Sequence, residues 1–267
     1  MNRRHFLQAS LAASTSLLVF PAAYADGPIT HINDAINKSG RQRMLSQRMA
    51  KSYLQIGQSI DLPRSKKIFS ASIALFERQL YELEAFAPTP ENKATLADLR
   101  KTWAGYKTVL VGNAPNRQDA KTIMVVNEQV LALAHASTVQ LEKTSGSAAA
   151  RLVNISGRQR MLSQRMAKFY QAINWGVASS DGLINLAKAR DEFLLGMTEL
   201  STSPKNTPAI NAEMTLAQQQ WFFFDQALKS SADSMETKVR FATNVATTSE
   251  RILETMDRIT GMYEQLS

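Results

Sequence analysis

Arginines 43 and 160 hold the same place in a string of thirteen residues, SGRQRMLSQRMAK. It occurs at Ser39–Lys51 and again, letter for letter, at Ser156–Lys168. The match extends with gaps to Asn37/Asn154 before the string and Tyr53/Tyr170 after it, while little else in the two halves is identical. Packing alone tolerates Leu for Met in a core or Lys for Arg on a surface. A polar, Arg-rich string held fixed in a diverged duplication therefore points to side chains that act together. Each guanidinium offers five donors in a rigid fork, a shape suited to a planar oxyanion.

On a helix at about 100° per residue, Leu45, Met49, Ser52 and Ile56 form one stripe, expected to face the core of the helix's own bundle. Ile36, Gly40, Arg43 and Gln47 fall roughly opposite. In the second copy Leu162, Met166, Phe169 and Ile173 oppose Gly157, Arg160 and Gln164. A glycine on such a face permits close approach of another helix or of a ligand. If the two copies meet across a pseudo-two-fold axis, Arg43 and Arg160 converge, and their repulsion amounts to several kcal/mol at an effective dielectric near 20. A small anion between them reverses that sign and adds charge-assisted hydrogen bonds. The expected ligand-binding set is Gly40, Arg43, Met44, Gln47, Gly157, Arg160, Met161 and Gln164, with the two methionines either lining the site or filling a gap. Arg41, Arg48, Arg158 and Arg165 flank the apolar stripe and are read as structural, pairing with an acid such as Glu128 or Glu250.

The elements that position these residues read as helices throughout. The first half divides into Ile29–Ile60, Arg64–Phe86, Glu91–Val111 and Asp119–Thr144. The second divides into Ala148–Ala178, Gly182–Leu200, Thr207–Ser230 and Ser234–Gln265. Prolines, glycines and Ser/Asp clusters supply the breaks. Phe76/Phe193, Leu83/Leu200, Trp103/Trp221 and Leu110/Leu228 correspond between halves at intervals of seven, as core positions of a bundle require. The expected fold is all-α, with two tandem four-helix, up-down bundles in residues 26–147 and 148–267. At Ser145–Ala150 the Gly and Ser favour a break and the alanines favour helix, so the sequence leaves the continuity of the fourth and fifth helices open.

Composition narrows the chemistry. The absence of cysteine excludes disulfides, Cys-ligated zinc, iron–sulfur clusters and thioether-linked haem. The net charge of +8 suits an anionic ligand, but no Lys/Arg block long enough for a nucleic-acid arm is present. There is no Glu-x-x-His pattern, no Gly-rich phosphate loop and no Ser/His/Asp arrangement, so neither catalysis nor a cofactor is expected. His31 and His135 read as ordinary surface or packing residues. Residues 1–25 resemble a twin-arginine export signal: Arg3-Arg4-His5-Phe6-Leu7, an apolar run from Leu11 to Phe20, then Ala23-Tyr24-Ala25 as a cleavage site. A periplasmic location follows from that reading.

Two families share these residues. Asn37, Gly40, Arg43, Met44, Ser46 and Arg48 resemble the signature helix of nitrate/nitrite sensor histidine kinases. The fuller Gly-Arg-Gln-Arg-Met-Leu-Ser-Gln-Arg-Met-Ala-Lys is similar to the sensor domain of type IV pilus methyl-accepting chemotaxis transducers. The resemblance implies a periplasmic four-helix bundle whose motif helix pairs with a symmetry mate. It also implies one anion between the two copies of the arginine matching Arg43 and Arg160. This chain differs in carrying two sensor repeats, so one polypeptide supplies both halves of that interface. The resulting expectation is a periplasmic sensor of a small oxyanion such as nitrate or nitrite, reporting to a membrane receptor, kinase or transporter, as a monomer or a homodimer. The alternative is a helical interaction module for a receptor or pilus/chemotaxis component that binds no ligand.

Overall fold

Helix boundaries in the computed structural model, which describes residues 28–230 and 234–266, fall where capping chemistry puts them. Thr89, Asn116, Ser147, Thr207 and Ser234 each accept a backbone N–H in the first turn of the helix that follows. Pro90 and Pro208 stand in first turns, where a missing N–H costs nothing. The eight helices among the described residues are α1 (Ile32–Gly57), α2 (Leu62–Phe86), α3 (Pro90–Gly112), α4 (Arg117–Ser145), α5 (Ala148–Trp175), α6 (Gly182–Ser201), α7 (Pro208–Lys229) and α8 (Met235–Glu264). The joint between the repeats is a break. Gly146 takes a left-handed φ of 62° and its N–H bonds back to Glu142, after which Ser147 caps α5. The proposed signal, residues 1–25, lies outside the described residues.

Each repeat closes around the same aromatic group. Phe76 stacks on Trp103 at 4.2 Å, and Tyr106 meets that indole edge-on. Phe193 stacks on Trp221 at 4.7 Å, with Phe224 in the position of Tyr106. These are the pairs that the seven-residue spacing picks out, and they tie α2 to α3 and α6 to α7. The all-α, duplicated bundle is therefore the architecture of the chain.

The motif helices are the centre of the molecule. Helix α1 packs on α2, α4 and α5, and α5 packs on α6, α8 and α1. The two run parallel. At one end Arg43 reaches the carbonyl of Asn154 and Arg160 that of Asn37; at the other Gln58 reaches the carbonyl of Gln171 and the side chain of Asn174. A pseudo-two-fold axis thus relates the repeats, and α4 and α8 each run antiparallel to both motif helices. As a result α1 is buried on almost every side from Asp34 to Gln55. A helix with this many Arg, Lys and Gln side chains is ordinarily solvated. Its burial sets the energetic problem that the rest of the sequence must solve.

Candidate functional site

Arg43 and Arg160 are essentially inaccessible, at 1% and 0% exposed, and their side chains fold over the glycines that precede them by one turn. A Cβ on Gly40 would lie 3.1 Å from Nη2 of Arg43 and 3.6 Å from Nη2 of Arg160. A Cβ on Gly157 would lie 3.1 Å from Nη2 of Arg160 and 3.5 Å from Nη2 of Arg43. The two guanidinium groups therefore converge between the two glycines, whose missing Cβ atoms spare them a tight contact. Their hydrogen bonds cross the interface. Nη2 of Arg43 donates to the Asn154 carbonyl at 3.1 Å, and Nη2 of Arg160 donates to the Asn37 carbonyl at 3.2 Å and its Oδ1 at 2.8 Å.

Four further motif cations, Arg48, Lys51, Arg165 and Lys168, are paired across the repeats in the same crossed sense. Arg48 and Lys51 of α1 both bind Glu250 of α8, while Arg165 and Lys168 of α5 both bind Glu128 of α4. Asn37 donates to Glu264 and Asn154 to Glu142, again from one repeat to the other. Burial pushes both lysines down to about 8 against the pull of their glutamates. Burial also opposes ionisation of Glu250 and Glu128, yet the paired Arg and Lys outweigh it and hold both below the usual carboxylate range. Asp257, desolvated but faced by Arg41 and Arg160, is lowered to about 2. These native-state values lie below those of the unfolded chain, so the unfolded state binds more protons in acid. Stability contributed by these carboxylates is complete above about pH 4.5 and is lost as pH falls from there through about 2. Thermal melts followed by circular dichroism should show a steep fall of Tm over that window; an unchanged Tm between pH 5 and 3 would contradict the pairing.

Not all of the sequence-derived set joins the guanidinium pair. Gly40, Arg43, Gly157 and Arg160 come together. Gln47 turns into its own repeat, donating to Oδ1 of Asn127 at 2.8 Å, and Gln164 likewise donates to the Ser249 carbonyl at 2.9 Å. Met44 and Met161 sit in the apolar core. Arg48 and Arg165 are the glutamate-bound residues described above.

The symmetry is broken beside the central arginines. Counting from Glu128 and Glu250, His135 of α4 corresponds to Asp257 of α8. Arg160 forms an ion pair with Asp257, and Arg41 binds the same carboxylate oxygen at 3.0 Å. Arg43 instead has Nδ1 of His135 at 3.2 Å from its Nη1, and no carboxylate is paired to it among the described residues. Arg158, the counterpart of Arg41, turns to Glu192 on α6. Burial, then the charges of Arg158 and Arg160, push Arg43 down to about 9 against the opposing pull of Glu142. Burial beside Arg43 and Arg158 likewise drops His135 to about 4. His135 is thus not the incidental residue that the sequence implies; it lies against the central arginine. Aligning the halves on their shared Glu exposes the His/Asp exchange, whereas the burial of Lys51 and Lys168 has no signal in the sequence because a terminal lysine normally reaches solvent.

The geometry is that of a buried cationic pair at a seam between two copies of one helix. Residues 30–138 match the type IV pili methyl-accepting chemotaxis transducer N-terminal family, and residues 143–245 match it a second time. The chain belongs to that family. Comparison with curated proteins and with solved structures finds no match. Membership in this transducer family makes the chain a duplicated sensory domain of the signalling class, whose members are typically periplasmic and work with a membrane signalling partner. No helix among the described residues is long and apolar enough to cross a membrane.

Proposed function

We propose that the two repeats act as one sensory unit that binds a small oxyanion, of the nitrate or nitrite type, at the seam between α1 and α5. The unit then reports occupancy to a membrane receptor, kinase or transporter. The observation carrying this reading is the convergence of two buried guanidinium groups between Gly40 and Gly157, with no carboxylate paired to Arg43 among the described residues. Two like charges in that setting repel, and a bound monoanion replaces the repulsion with charge-assisted bonds. Export of the chain and removal of residues 1–25 belong to the same reading. The two repeats, residues 26–147 and 148–267, then form the sensing module. Because α4 and α8 touch both motif helices, a change at the seam is felt by both repeats at once.

Isothermal titration of the purified chain with nitrate, nitrite and chloride tests the reading. Binding of an oxyanion in preference to chloride is expected. Arg43→Ala should weaken it about 10- to 100-fold, the worth of a hydrogen bond to a charged group. Heat that is absent for every anion, or unchanged in Arg43→Ala, refutes the proposal.

A further inference from the structure

Resting on the oxyanion reading above, we propose that the anion seat is one-sided. A small planar monoanion binds at Arg43 beside His135, Arg158 swings from Glu192 to complete the contact, and Asp257 fills the equivalent seat of the second repeat permanently. The chain displays its own template for this contact. One oxygen of Asp257 bridges Arg160 from α5 and Arg41 from α1. The residues in those three places on the other side of the axis are His135, Arg43 and Arg158. Asp257 therefore behaves as a tethered ligand, a carboxylate oxygen shared by two guanidinium forks. With His135 in its place, the charge that would draw Arg158 inward is missing.

Where Arg158 goes instead supports the assignment. It pairs with Glu192 on α6, a position held in the first repeat by Leu75, which carries no charge. Arg158 and Glu192 are 38% and 30% exposed at the side chain, against 7% for Arg41. The pair is a weak, solvated one that an anion at Arg43 can break at low cost. The charged groups facing His135 are Arg43 on α1, Arg158 on α5 and Glu192 on α6, with Glu142 of its own helix acting on Arg43. Two arginines thus stand beside His135, and among the described residues the one carboxylate in contact with either of them is the displaceable Glu192. Because the built-in occupant is a carboxylate, the ligand class extends from nitrate and nitrite to formate and acetate. Release of Glu192 by Arg158 gives α6 a contact that depends on occupancy.

The test titrates nitrate, formate and acetate into the parent chain, His135→Asp and Glu192→Gln, with circular dichroism confirming the helical fold of each. The parent should bind one anion per chain. His135→Asp supplies a second tethered carboxylate and should lower affinity by roughly tenfold or more, as a charge competing for the same donors. Glu192→Gln frees Arg158 and should tighten binding about two- to fivefold, the worth of a part-exposed ion pair. Parental affinity in either variant overturns the one-sided seat, and if His135→Asp does not fold, Glu192→Gln decides alone. Loss of binding in Arg43→Ala alongside unchanged affinity in both variants would leave the oxyanion reading standing and remove this proposal. No binding by the parent chain removes both.

Discussion

Replacing Glu250 with Ala should lower the melting temperature by roughly 6–20 °C. Glu250 is 2% exposed and holds two cations, Arg48 and Lys51, of which Lys51 is wholly buried. Removing one partner of a buried pair leaves an uncompensated charge and costs about 3–5 kcal/mol. Arg48 can recover water, since it is 17% exposed, but Lys51 cannot. The variant's deficit should shrink at alkaline pH. Lys51 is already depressed to about 8 by burial, and without Glu250 it falls further. A lysine lowered in the folded state destabilises while charged, and that penalty is relieved as pH rises past its native value. Glu250→Ala combined with Lys51→Met should recover much of the loss, because no buried charge then remains unpaired. By contrast Glu199→Ala, which breaks the exposed pair with Arg151, should change stability by no more than about 0.5–1 kcal/mol. Equal melting temperatures for Glu250→Ala and Glu199→Ala would contradict the crossed pairing.

The second large effect concerns assembly. A fragment spanning the first repeat alone, residues 28–146, should be a dimer that loses its helical signal on dilution. Within the fragment Arg43 and Lys51 have no second motif helix to face, and Lys51 has no Glu250. A second copy of the fragment supplies both, since Glu128 binds Lys168 as Glu250 binds Lys51. The isologous contact of a two-fold dimer would rebuild the seam with the same residues on each side. Folding and association are then inseparable, so stability depends on protomer concentration. Sedimentation velocity with parallel circular dichroism reads this directly. A monomeric fragment that is fully helical at every concentration would show that the repeats do not depend on each other's charges.

Much of this organisation could be read in the letters. The identical string marks α1 and α5 as partners, because a shared symmetric interface needs the same residues twice. The recurrence of Phe, Trp and Leu at intervals of seven locates both aromatic clusters. Glu128 and Glu250 were recognisable as acids available to the flanking arginines. The helical period places Gln47 on the face of Arg43, as it would on a helix with one buried and one open side. Helix α1 is instead enclosed by α2, α4 and α5, and Gln47 finds Asn127. Met44 and Met161 follow the same logic into the core. The contacts from α1 to α8 join residues about two hundred positions apart and leave no local periodicity to detect. The exchange of His135 for Asp257 is visible once the halves are aligned on Glu128 and Glu250, but only the three-dimensional pairing with Arg43 and Arg160 gives it meaning.

The most direct test of the shared seam is a crystal structure of residues 26–267 soaked in nitrate. A planar three-lobed feature touching Arg43, enclosed between α1 and α5, is the predicted result. Nitrate confined to exposed lysines, or motif helices whose arginines point away from one another, contradicts it.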